Sequence, residues 1–187
     1  MRLFIAINLP ADVRSQVIAA ATSLRDTAPE ASWAREERLH FTLKFLGDVP
    51  DSRVDDLAAA LAAVTGQHRE FLMALGGIGA FPNFRRARVV WIGIEQEARL
   101  ELLHHDVELA CESLGFELEG RPFRPHLTLA RVKHPLPEAR ARTLSRVGKQ
   151  TDFRTDFIVR SVDLMSSEPS QSGQTYRTLV SAALRSG

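Results

Sequence analysis

One pattern constrains this chain more than any other: His-x-Thr-Leu occurs twice, as His40-Phe41-Thr42-Leu43 and His126-Leu127-Thr128-Leu129, 86 residues apart. Both stretches read as β-strands. Strand side chains alternate between faces, so each histidine shares a face with its threonine, while Phe41, Leu43 and Phe45, or Leu127 and Leu129, point the other way. A chain with two such pairs can hold two imidazoles on opposite sides of one small anionic group.

The same 86-residue offset carries the strand-like Arg2-Leu3-Phe4-Ile5-Ala6-Ile7 onto Arg88-Val89-Val90-Trp91-Ile92-Gly93. A helical pattern follows each. Val13, Val17, Ile18, Ala21 and Leu24 form the first apolar stripe, and Leu100, Leu103, Val107, Leu109, Ala110 and Leu114 the second. Strand, helix and His-x-Thr strand therefore recur as a unit. Further helices are predicted over residues 51–64 and 137–147, with strands over 71–75, 157–165 and 176–184. The resulting expectation is an α+β fold, pseudo-twofold and bilobal, with antiparallel sheets lining a central cleft and helices outside. Residues 1–187 form a single domain on this reading, its halves meeting near Gly79–Arg88.

Composition narrows the partners. At 187 residues and 44% hydrophobic content the chain can bury an ordinary globular core. A formal net charge of +1 argues against a large non-specific nucleic-acid surface but leaves room for a local basic cleft. Of 24 basic residues 21 are arginine, whose planar fork suits phosphate, although codon composition gives the same bias. The single cysteine, Cys111, lies in a helical stretch, cannot form an intrachain disulfide and reads as a buried structural residue. The first apolar run is too short for a signal peptide or membrane span, so the default is a cytoplasmic protein without membrane partners.

The chemistry converges on phosphate. A phosphodiester or cyclic phosphate needs a base to activate water and an acid to protonate the departing sugar oxygen, and two histidines supply both. His40 and His126 are the candidates. Thr42 and Thr128 offer hydroxyls to non-bridging oxygens, although threonine also suits a strand for conformational reasons alone. Five residues after each histidine stand Phe45 and Arg131. Arg131 is a candidate phosphate clamp only if a strand end or bulge redirects it, since simple alternation sets it opposite His126. Lys44 and Arg124 share the parity of their histidines and are candidate cleft-mouth charges or ordinary solvated residues. In the stretch Gly76–Arg86, read as a loop between the halves, Phe81 and Phe84 beside Arg85 and Arg86 could stack a base or simply anchor the loop. His68 and His134 read as surface residues, and His104 and His105 are too close in sequence to share a helix face. With no His-Glu-x-x-His motif and no clustered cysteines, neither a metal nor a cofactor is expected.

These motifs, together with His40–Gly47, Gly79-Ala80-Phe81-Pro82 and Pro125–Arg131, resemble the bacterial and archaeal RNA 2′,3′-cyclic phosphodiesterases of the two-histidine phosphoesterase superfamily, also called the RNA 2′,5′-ligase family. The resemblance spans nearly the whole chain. It implies a two-lobed fold in which the motifs face each other across a cleft. It also implies that His40 protonates the 3′ leaving oxygen, that His126 activates water, and that Thr42, Thr128 and Arg131 bind the phosphate. The implied partner is RNA ending in a 2′,3′-cyclic phosphate and the implied product a 2′-phosphate end, with 2′,5′ ligation as related reverse chemistry. A monomer is expected. Two other functions fit the same residues: a hydrolase of small cyclic nucleotides, and an RNA-binding module without turnover.

Overall fold

The computed structural model describes residues 1–170 and 173–187. Among these residues nine strands fall into two antiparallel sheets. The first sheet contains β1 (Arg2–Asn8), β3 (His40–Asp48), β8 (Ser161–Ser170) and β9 (Gly173–Ala183), in the order β3-β1-β8-β9. The second contains β2 (Ser32–Trp33), β4 (Phe71–Phe81), β5 (Val89–Ile94), β6 (His126–Arg131) and β7 (Arg154–Val159), in the order β2-β6-β5-β4-β7. Each His-x-Thr strand thus lies at or next to a sheet edge, where β3 and β6 come into contact.

Four helices cover the outer faces: α1 (Ala11–Thr27), α2 (Val54–Thr65), α3 (Ala98–Ser113) and α4 (Glu138–Gln150). Their apolar stripes are those the spacing predicts. Val13, Val17, Ala21 and Leu24 are buried on α1, and Leu100, Leu103, Val107 and Cys111 on α3. One contiguous apolar core joins residues from both sheets and all four helices.

The connectivity departs from two consecutive halves. After β1 of the first sheet, α1 packs with α4 and β7 of the second; after β5 of the second sheet, α3 packs on α2 and β3 of the first. The chain of the first half supplies β2 and β4 to the second sheet, and the second half returns β8 and β9 to the first. No lobe boundary therefore falls at Gly79–Arg88, because β4 and β5 on either side of it are hydrogen-bonded neighbours.

Two other expectations change for related reasons. The stretch Gly76–Phe81 is strand rather than loop: β4 continues through a bulge at Gly77, whose φ of 70° suits glycine, and the irregular chain begins at Pro82. The predicted strand over 157–165 is two strands, since Arg160 separates β7 from β8 as the chain passes from one sheet to the other.

Candidate active site

Each His-x-Thr strand carries a β-bulge at the same point. Along β1, Thr42 lies opposite Ala6 and Lys44 opposite Ile5, which leaves Leu43 without a partner; along β5, Thr128 lies opposite Trp91 and Ala130 opposite Val90, which leaves Leu129 out. An extra residue reverses the alternation beyond it. His40 and Thr42, or His126 and Thr128, therefore share a face with Phe45 or Arg131. The bulge that Arg131 needs to reach the cleft is present.

The same bulge overturns the reading of Lys44. It turns into the interior, only 5% exposed, where Nζ donates to Glu108 Oε2 at 2.7 Å and to the Glu117 carbonyl at 2.9 Å. Arg124 is exposed, and its contribution is its carbonyl: His126 Nδ1 lies 2.8 Å from Arg124 O. A carbonyl can only accept, so Nδ1 carries the proton and Nε2 of a neutral His126 keeps its lone pair. His40 repeats the device, with a ring hydrogen bond to the backbone of Arg38 two residues before it.

The two imidazoles sit against aromatic rings. His40 lies 4.8 Å from the Phe4 ring and meets Tyr176 edge-on at 4.9 Å and 85°. His126 meets Phe81 edge-on at 5.0 Å and 88°, and Phe81 in turn lies 5.1 Å from Trp91. Phe81 is thus beside the site, whereas Phe84 packs against Gly148 of α4 and does not line it. Burial depresses the pKa of His40 to about 4, opposed by the Arg38 hydrogen bond and reinforced by the positive charge of Arg131. That last influence places Arg131, from the second sheet, within electrostatic reach of His40 on the first. Among the described residues the Thr42 and Thr128 hydroxyls make no hydrogen bond, so both stay open to a ligand.

Phe4 and Trp91 lie in the repeated strands but are not singled out there, and Tyr176 has no motif to mark it. The only signal for Tyr176 is that it is the sole tyrosine, at the start of an expected strand. Away from the cleft, His68 is buried and pairs with Asp106 at 2.8 Å, contrary to its reading as a surface residue; His134 is exposed as expected. The Cys111 thiol, pushed up to about 11 by burial, is structural. Among the described residues no group of three or more His, Cys, Asp or Glu is arranged to hold a metal ion, and no helix is long and apolar enough to cross a membrane.

Each of the two sheets thus brings a His-x-Thr strand to a common seam, where β3 and β6 are in contact. The family model of the 2′-5′ RNA ligase superfamily matches residues 10–171. An RNA 2′,3′-cyclic phosphodiesterase of Methanothermobacter thermautotrophicus is 30% identical over 177 residues, 94% of this chain and 95% of that protein. Another, of Geobacillus stearothermophilus, is 41% identical over 128 residues, 68% of this chain but only 41% of that longer relative. Among solved structures, TT0787 of Thermus thermophilus has a TM-score of 0.83 at 30% identity, covering 100% of this chain and 99% of its own. Escherichia coli LigT complexed with 3′-AMP has a TM-score of 0.72 at 30% identity, covering 98% and 97%. The chain belongs to the 2′-5′ RNA ligase superfamily.

Proposed function

We propose that the protein hydrolyses RNA 2′,3′-cyclic phosphate ends to 2′-phosphomonoester ends, with His126 as general base and His40 as general acid. His126 Nε2 takes a proton from water as its oxygen bonds to phosphorus. The P–O3′ bond breaks, and His40 delivers a proton to O3′, leaving a 3′-hydroxyl and a 2′-phosphate. Thr42, Thr128 and Arg131 hold the non-bridging oxygens as charge develops on them. With a 5′-hydroxyl in place of water, the same step would bond its oxygen to phosphorus as P–O3′ breaks and leave a 2′,5′ linkage, so ligation is a side activity of this assignment.

The observation that carries the reading is the matched pair of bulged His-x-Thr strands, one of which also turns Arg131 toward the cleft. Support also comes from the naming of full-length relatives and from the nucleotide held by LigT. His40 is mostly neutral at pH 7 in the protein alone, because its pKa is about 4. A bound phosphodiester anion favours protonation of His40 directly and offsets the charge of Arg131, so proton uptake accompanies substrate binding. Both motifs come from one chain, which makes the cleft complete in a monomer.

The test uses RNA ending in 2′,3′-cyclic phosphate, with chelator present, and separates the products. Turnover to a 2′-phosphate, lost by at least ~100-fold in His40→Ala and His126→Ala, is the expected result. A 3′-phosphate product would reverse the regiochemistry. Faster turnover of cyclic mononucleotides than of RNA would make the protein a small-nucleotide hydrolase, and RNA affinity without any turnover would make it a binding module.

A further inference from the structure

Lys44 and Glu108 form a buried ion pair that the proposed chemistry does not use, with side chains 4% and 8% exposed. Removing two charges from water is costly, and a well-packed apolar pair is often as stable. The fold itself illustrates the alternative: Ala130 occupies the position after the second bulge that Lys44 occupies after the first, and is 1% exposed.

What distinguishes Lys44 from Ala130 is what it reaches. Its ammonium binds Glu108 Oε2 on α3 and the carbonyl of Glu117, and Glu108 Oε2 also accepts the Glu119 backbone N–H at 3.0 Å. Glu117 and Glu119 lie in the irregular segment 114–125 that leads from α3 to His126. Further along it, the Phe123 ring stacks on His104 of α3 at 3.7 Å and 14° and meets Phe41 of β3 at 6.1 Å. The next residue is Arg124, whose carbonyl holds Nδ1 of His126. A segment without ladder hydrogen bonds is thus pinned at three successive points before it orients an imidazole.

We propose that Lys44 and Glu108 are positioning residues that fix the 117–125 segment, and through the Arg124 carbonyl the orientation and tautomer of His126. Lys44 lies four residues after His40, so the pair ties the strand of one histidine to the approach of the other. Neither residue touches the reacting atoms. The inference rests on the role given above to His126, but one of its consequences can be measured without any reaction.

The experiment compares wild type with Lys44→Met/Glu108→Leu, which replaces the pair by apolar side chains, and with Glu108→Gln, which keeps an acceptor for Lys44 and for the Glu119 N–H. Four quantities are measured: the thermal midpoint, kcat and KM on RNA cyclic phosphate, and the 15N shifts of the His126 ring. The double variant is expected to melt within about 5 °C of wild type, lose at least tenfold in kcat with KM within twofold, and show His126 shifts averaged between two tautomers. Glu108→Gln is expected to recover most of kcat and the Nδ1–H tautomer. Wild-type kcat and an unchanged His126 tautomer in a folded double variant overturn the proposal. If the double variant does not fold, Lys44→Met decides, since it frees the Glu117 carbonyl while Glu108 still accepts the Glu119 N–H: an altered tautomer or a lowered kcat supports positioning, and wild-type values in both overturn it. Absence of turnover in wild type would refute the functional reading, while the ring shifts would still test the positioning.

Discussion

Contact with Phe4 and Tyr176 makes His40 a different acid from an imidazole in water. Its folded pKa of about 4 lies below the ordinary 6.5, so between those values the unfolded chain binds more protons than the folded one. Stability from this residue is full above pH 6.5 and is lost as pH falls toward 4. By pH 5 the loss is about 2 kcal/mol. Urea midpoints at pH 7.5 and pH 5 should therefore converge in His40→Gln relative to wild type; an equal drop in both proteins would remove His40 as the cause. The two histidines and threonines are legible in the sequence because each motif carries its own local strand pattern. Tyr176 is not, since its place beside His40 comes from β9 arriving from across the sheet, and no local pattern encodes that contact.

At the level of strands, the bulges at Leu43 and Leu129 decide which side chains share a face with the histidines. They also explain why alternation misplaces Lys44: a period of two assigns faces correctly only up to the bulge. The repeat itself shifts by one between its elements. Asn8 lies opposite His40 and Gly93 opposite His126, 85 residues apart although the histidines are 86 apart, so Phe4 corresponds to Val89 rather than Val90. A uniform shift cannot register a residue gained between strand and helix. Gly79 shows a second constraint that spacing alone leaves hidden. The Trp91 ring covers it so closely that a Cβ would stand 2.2 Å from the ring. Gly79→Ala should cost about 1–3 kcal/mol and displace Trp91. Denaturant midpoint and tryptophan emission measure both effects, and a wild-type midpoint would show that the ring yields freely.

Across the whole molecule, the interleaving of the halves matters more than their likeness. The duplication is readable from the repeated unit, but the exchange of α1 and α3 between sheets is not, because patterning gives each helix a buried stripe without saying which sheet covers it. A core shared by both sheets should unfold in one step, as expected of a single domain over 1–187. Emission from Trp33 and Trp91, both in the second sheet, should share a midpoint with hydrogen exchange of β1 and β8 amides in the first. Separate midpoints would make the lobes independent units. Phe45 and Arg131, finally, occupy the same place in the two bulged strands and differ in everything else. With an arginine on both sides, a cyclic phosphate could seat in two senses and open to either isomer. With only one, the cradle is handed although its backbone is symmetric, and under the proposed roles that handedness would select which sugar oxygen departs.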